Sequence, residues 1–205
     1  MGEIGITKEQ IFNRAAFDRW QVFCSSRSGL LAMFLWAAAE ATFWPIIPDG
    51  LLFPMAIGRH RKYWHLLGAA ILGSTAGGIL IYVFAYFMPD TALSVLPHLP
   101  VVQTFMIEKA SEALNEQGVM AFWTQPWSGV SFKIYALVGG AQGIDPIQAL
   151  SLSVAARGLR MLVSSAVPRL LARWFPKFFR DFWIYFLLAY LIVFAYGWVT
   201  TQLIG

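Results

Sequence analysis

At 205 residues, of which 58% are hydrophobic and 13% charged, and with a mean hydropathy of +0.60, the chain is far too apolar for a soluble domain of its length and is expected to be an integral membrane protein. Its one cysteine, Cys24, excludes an intrachain disulfide and a thiolate zinc site. The formal charge of +4 comes from basic residues scattered among aromatic and apolar ones, a pattern that argues against nucleic acid and for orientation in a bilayer.

The first eighteen residues hold Glu3, Lys8, Glu9, Arg14 and Asp18 without an apolar core or a small-residue cleavage site, so no removable signal peptide is expected. From Ile11 to Phe23, the residues Phe12, Ala16, Trp20 and Phe23 recur at helical spacing with Asn13, Arg14, Asp18 and Arg19 off that stripe, as in a surface helix. Residues 1–27 therefore read as an N-terminal interfacial helix, and 28–205 as one membrane domain.

The stretch 28–58 is hydrophobic yet carries Glu40 and Asp49 and is broken by Pro45, Pro48 and Pro54. Two prolines three residues apart remove helical donors and clash with the preceding turn, so the helix must stop near Trp44 and the chain must reverse. Broken backbone survives at membrane depth only against protein or a water-filled cavity. This stretch is expected to be a re-entrant hairpin, and its acids are functional-site candidates because charge in lipid is costly. Arg59, His60, Arg61 and Lys62 follow as a turn among head groups.

Residues 63–89 read as a full span, long enough for a hydrocarbon core of ~30 Å at ~1.5 Å per residue. Within it, Gly73-Ser74-Thr75-Ala76-Gly77-Gly78 lacks the ending of a phosphate loop and reads as a site of close helix packing. Residues 90–118 form an amphipathic linker in which Met106, Ala110, Ala113 and Leu114 oppose Glu108, Glu112 and Glu116, with Gly118 as the cap. The apolar stretch 119–143 is broken at Gln125-Pro126-Trp127-Ser128-Gly129 and carries Lys133, so it reads as a second re-entrant hairpin, with Pro126, Gly139 and Gly140 as its break positions. Residues 146–168 would be an ordinary span but for Arg157 and Arg160, and 182–203 is a charge-free span. Between them, Trp174 to Arg180 is an aromatic and basic anchor. The expected fold is all-α: about three full transmembrane helices and two opposed re-entrant hairpins.

Charge sidedness tests that topology. If both broken segments leave on the face they entered, the residues up to Arg27, the Arg59 to Lys62 turn and the Arg169 to Arg180 stretch share one side, with 11 of the 15 lysines and arginines. The other side keeps Lys109 beside Asp90, Glu108, Glu112, Glu116 and Asp145. This is a positive-inside asymmetry with a cytoplasmic N-terminus; it largely dissolves if both broken segments cross.

Five charges then converge at mid-membrane: Glu40, Asp49, Lys133, Arg157 and Arg160. One reading is that carboxylates and cations pair and lock the fold, although buried pairs often add little net stability. The other is a site, since broken hairpins place free amides and helix ends in the membrane, and the surplus positive charge suits a phosphate or carboxylate. Other chemistry is sparse. His60, His65 and His98 are widely separated, and Ser128 and Ser131 have no nearby histidine and no Gly-x-Ser-x-Gly elbow. No catalytic residue, metal or cofactor is expected.

The acid followed by a Pro-x-x-Pro-acid turn (Glu40, Pro45, Pro48, Asp49), the Gly-rich span Gly68 to Tyr86, the Pro126 to Gly140 segment and Ala156-Arg157-Gly158-Leu159-Arg160 together resemble the DedA family of SNARE-associated or VTT-domain membrane proteins. The last string, with Phe132-Lys133, is similar to its YqaA-like branch. The resemblance covers about residues 28 to 200 and implies two opposed re-entrant hairpins. It also implies lipid movement, because members are linked to undecaprenyl phosphate recycling in bacteria and to phospholipid scrambling in eukaryotes. By the same carry-over, Glu40 and Asp49 match the acids tied to proton-motive-force-dependent function, and Arg157 and Arg160 match the membrane arginines. Two positions depart: Ser74 stands where the family commonly has an acid, and Lys133 where many relatives have arginine.

The expectation is a lipid-phosphate translocase of a bacterial inner membrane, with Lys133, Arg157 and Arg160 holding the head group and Glu40 and Asp49 as proton-coupling groups. Its partners would be membrane lipids with anionic or phosphate-bearing head groups; protons and further copies of the chain are admissible. An intramembrane lipid-phosphate hydrolase, which would need a nucleophile or divalent metal, and a non-transporting scaffold or assembly factor stand as alternatives.

Overall fold

A computed structural model describes residues 8–57 and 63–204, all of whose regular structure is helical. The Arg59 to Lys62 turn with His60, and Glu3, lie outside the described residues. Among the described residues two helices, Tyr63–Phe87 and Pro146–Trp174, are long and apolar enough to cross a membrane, and counting the bent pair Arg14–Cys24 with Arg27–Thr42 as one span gives a third.

The described residues begin with α1 (Lys8–Cys24) and α2 (Arg27–Thr42), bent by 79°. Ser26 makes the corner: its extended backbone leaves the helix and its hydroxyl accepts from the Gly29 N–H at 3.0 Å, satisfying one free donor of α2. The expected first hairpin is α2, an irregular stretch and α3 (Asp49–Ala56). At the end of α2 the N–H groups of Phe43 and Trp44 both donate to the Ala39 carbonyl, and Pro45 and Pro48 forbid another turn. Pro48 then starts α3 as its N-cap.

Helix α4 (Tyr63–Phe87) is the centre of the packing. A Cβ at Gly73 or Gly77 would collide with the Phe34 or Ala38 carbonyl of α2, so these two glycines, one helical turn apart, let the backbones of α2 and α4 touch, as the cluster around Gly73 predicts. On another side of α4, Gly78 lies under the Phe132 ring, and the Tyr82 carbonyl lies against Gly140. These contacts seat α8 (Phe132–Ala141). Between α4 and α8 run α5 (Pro89–Val95), α6 (Thr104–Gln117) and the single turn α7 (Ala121–Thr124), which passes into a 3₁₀ turn over Gln125–Trp127. The second broken segment therefore has one short arm and one longer helix.

Gly139 and Gly140 do not break that segment. They lie inside α8, and their missing side chains admit the Phe122 ring and the Tyr82 carbonyl; the break falls at Pro126 to Ser131. Pro168 likewise fails to end its helix. Helix α9 runs on through it from Pro146 to Trp174. The proline costs one donor, and burial of Met161 and Ser165 before it and Ala172 after it carries the helix past that loss. Helix α10 (Pro176–Ile204) closes the chain.

The two ends of the molecule differ. At one, Phe17 of α1, Ile57 just after α3, Ala172 of α9, and Phe179 and Trp183 of α10 form a cluster, and Trp20 stacks on Trp183 at 5.7 Å. Ile57, at the end of the first broken segment, therefore lies beside α1 and the start of α10. At the other, Ala92, Leu96, Ala110, Leu114, Ala121 and Ala149 pack around Tyr82 and Ala85, and the Tyr82 hydroxyl donates to the Ile144 carbonyl just after α8.

Arg14 ties α1 to the start of α10: Nε and NH2 donate to the two Asp181 carboxylate oxygens at 2.8 and 3.0 Å, the two-pronged geometry that arginine favours. That donation holds the Asp181 carboxyl below the usual carboxylate range.

Replacing Gly73 or Gly77 by leucine is expected to force α2 from α4 and cost about 1–3 kcal/mol, read as a lower Tm and a broadened gel-filtration peak in detergent. Gly68→Ala, whose added carbon meets nothing within 4 Å, leaves both unchanged. Asp181→Asn is expected to lower Tm by a few degrees at neutral pH. Because the folded-state pKa is depressed, the contribution of Asp181 is complete above its unfolded value of about 3.9 and is lost as pH falls through the lower folded value. The gap between wild type and Asp181→Asn therefore closes only in strong acid, as thermal melts across pH would register.

Candidate functional site

Glu40 lies in the last turn of α2 and is 3% exposed, Arg157 lies midway along α9 at 5%, and Lys133 lies in the first turn of α8 at 2%. Three elements separated in sequence thus bring three charges out of solvent. Arg157 NH2 donates to Glu40 Oε2 at 2.6 Å, and its Nε donates to the Ser74 hydroxyl of α4 at 2.7 Å. Its guanidinium plane stands 4.4 Å from the Phe132 ring centroid, where the ring face attracts the cation. Such a pair is held by geometry and added hydrogen bonds, since Coulomb attraction alone barely offsets desolvation.

Lys133 joins the two breaks. Its ammonium donates to the carbonyl of Trp44, freed where α2 ends, at 3.0 Å. Gln125 at the second break donates from its amide to the Val130 carbonyl, and Lys109 of α6 donates to the Ser128 carbonyl. These bonds satisfy backbone that has no helical partner. No side chain caps α8 at Ser131, leaving the amides of its first turn without a side-chain acceptor.

Between the two breaks lies a cavity of about 300 Å³, lined by Glu40, Lys133, Arg157 and Arg160 and by tip residues including Pro45 and Pro126. Val101 stands at its wall with φ 62°, a left-handed conformation that a β-branched residue adopts only under constraint.

Asp49 stands apart from that cavity. One carboxylate oxygen accepts from the Ser164 hydroxyl at 2.6 Å, and the other lies 2.8 Å from Arg160 NH2. That second oxygen is buried without a hydrogen bond, so the Arg160 contact is an ion pair whose angle misses directed bonding. Asp49 also occupies the first turn of α3, where the helix end favours negative charge. It lines a second cavity of about 280 Å³ with Gly50, Phe53, Ser164, Phe186 and Tyr190. Of the five charges singled out from sequence, four thus share one cavity and the fifth faces another across an ion pair.

Ser74, read from sequence as part of a close-packing stretch and as a departure from the family pattern, is a direct partner of Arg157. Ser164 is one turn beyond Arg160 on the same face of α9, which its spacing signals. Tyr190, whose hydroxyl donates to the Ile47 carbonyl at 2.9 Å, and Phe132 carry no comparable signal. Among the described residues no group of three or more His, Cys, Asp or Glu side chains converges as metal ligands.

An uncharacterised protein from Haemophilus influenzae is 21% identical over 124 residues, 60% of this chain and 64% of its own length. The chain thus spans somewhat under two thirds of that relative. No protein-family model matches the chain, and no solved structure does.

Removing one partner of the buried pair leaves a lone charge. Arg157→Met and Glu40→Met are each expected to cost about 3–5 kcal/mol, and the double substitution less than the sum of the two. Tm values for the four proteins in one detergent measure that coupling.

Proposed function

We propose that this chain is a membrane transporter of the DedA type that translocates a lipid phosphate across the bilayer. The observation that carries the reading is the cavity between the two breaks, where three cations face one carboxylate. Phosphate is a chemically suitable guest: it takes several charge-assisted hydrogen bonds, and arginine's fork matches its oxygens. The uncapped start of α8 adds backbone donors at the same wall.

In the empty state Glu40 neutralises Arg157 and Asp49 neutralises Arg160. An arriving head group takes over these guanidiniums and Lys133, and a proton on each carboxylate removes its competing charge. Proton uptake and head-group binding are thereby linked. Lys133 supplies a further advantage as a flexible point charge that can leave the Trp44 carbonyl for a phosphate oxygen.

The topology that goes with this function has α4, α9 and α10 as spans and two re-entrant hairpins entering from opposite faces of a bacterial inner membrane, the N-terminus cytoplasmic. Packing supports it: the first broken segment finishes at Ile57 beside α1 and Ala172 to Trp183, and Ile144, just past the second, meets Tyr82 at the other end of α4. The charge asymmetry along the chain agrees with that placement.

Proteoliposomes with a fluorescent lipid phosphate test the proposal. Wild type should move the lipid well above empty liposomes, and Lys133→Gln and Arg157→Lys should each reduce the rate about tenfold or more, equivalent to at least about 1.4 kcal/mol. Acceleration by an imposed pH gradient, lost in Glu40→Gln, is the signature of coupling. Wild type no faster than empty liposomes across several head groups overturns the reading in favour of a scaffold, and magnesium-dependent phosphate release overturns it in favour of a hydrolase.

A further inference from the structure

The charged cavity has a neighbour of nearly equal volume and different chemistry. The second cavity is a half-open cleft between α3, α9 and α10, walled by Gly50, Phe53, Phe186 and Tyr190 with Asp49 and Ser164 at one side. Arg160 lines the charged cavity and Asp49 lines the cleft, so their ion pair is a partition between the two. A second contact lies on the same boundary: Ile47 lines the charged cavity, and its carbonyl accepts from the Tyr190 hydroxyl, which belongs to the cleft. Both contacts are single and replaceable. The pair lacks directed bonding at Asp49 Oδ2, and the tyrosine bond can be exchanged for another donor.

The rest of the cleft wall is apolar. Phe53 packs on Phe186 at 5.6 Å between ring centroids, and any side chain at Gly50 would run into the Tyr190 ring, so the tyrosine closes directly over backbone. Beyond it, α10 presents exposed Leu188, Leu191, Ile192 and Val193, which suit contact with hydrocarbon. A polar pocket that joins an apolar cleft across a weak ionic partition matches an amphiphile with an anionic head and a hydrocarbon chain.

We infer that the cleft between α3, α9 and α10 is a chain-binding site: it seats the first carbons of a phosphate-bearing amphiphile whose head group sits in the charged cavity, with Tyr190 and the Asp49 to Arg160 pair as the seam through which head and chain stay connected. The inference rests on the proposed head-group site and adds where the chain lies and which residues select for having one. A free phosphate would use the cavity alone.

The test uses the full chain in neutral-lipid nanodiscs and dodecyl phosphate bearing a diazirine on the carbons nearest the phosphate. After irradiation, labelled residues are mapped by mass spectrometry, with unlabelled dodecyl phosphate, dodecanol and inorganic phosphate as competitors. Labelling is expected on Phe53, Phe186 and Tyr190, reduced about tenfold by a tenfold excess of dodecyl phosphate, as simple competition dictates, and little changed by dodecanol or inorganic phosphate. Phe186→Trp, which fills the cleft, should lower the competable labelling several-fold.

Competable labels confined to other helices overturn the cleft while leaving the head-group site intact. Labels in the cleft that dodecanol removes equally well overturn the head-group site and, with it, the anchored chain. Equal competition by inorganic phosphate shows that the chain adds nothing and overturns the cleft alone. No competable labelling anywhere overturns both.

Discussion

A guanidinium with no solvent around it needs partners on several sides, and Arg157 finds them on three different helices. Glu40 of α2 takes its charge, Ser74 of α4 takes its Nε hydrogen, and Phe132 of α8 offers a ring face. Each partner constrains where its helix can sit along and around α9. The pair is therefore a positional device as much as a stabilising one, because its Coulomb gain is largely consumed by desolvation. What remains is intolerance of misplacement: a small slide of α2 would strand a carboxylate in apolar surroundings.

That demand on position is met by packing that leaves α2 no freedom. Side chains at Gly73 and Gly77 would hold α2 away from α4; without them the backbones meet, and Glu40, just beyond Ala38 on α2, is delivered to Arg157. On the other flank of α4, Gly78 and Gly140 bring α8 equally close and set the depth of Lys133. The same stretch of small residues thus controls two of the charges around the cavity, although none of its glycines touches it.

The parts of this arrangement that were legible in the sequence were those where one residue contradicts its surroundings. Glu40, Lys133, Arg157 and Arg160 stood out as charges in apolar segments, and all four reach one cavity. Pro45 and Pro126 marked where helices stop, and Pro48 where the next begins, because a missing N–H is a local fact. Gly139 and Gly140 misled because their effect depends on neighbours: they are filled by Phe122 and by the Tyr82 backbone, and the span read as 146–168 runs on to Trp174 because packing on both sides carries the proline. Asp49 looked equivalent to Glu40, yet lies across an ion pair in another cavity, because the irregular stretch between α2 and α3 separates the two. Tyr190 was invisible because an aromatic residue in an apolar helix is ordinary until its hydroxyl is seen on a carbonyl far away in the chain.

The separation of Glu40 from Arg157, 117 positions along the chain, bears on how the protein is made. Glu40 leaves the ribosome long before the guanidinium that neutralises it, and Asp49 waits almost as long for Arg160 and Ser164. A charged or polar stretch is costly in lipid without a partner, so the first broken segment has to wait near the membrane surface, or against the insertion machinery, until α9 is synthesised. Arg14 waits longest, since Asp181 opens the last helix. The ion pairs are thus completed late: α9 supplies the cations that the early acids meet, and Arg14 of α1 finds Asp181 only once α10 has begun.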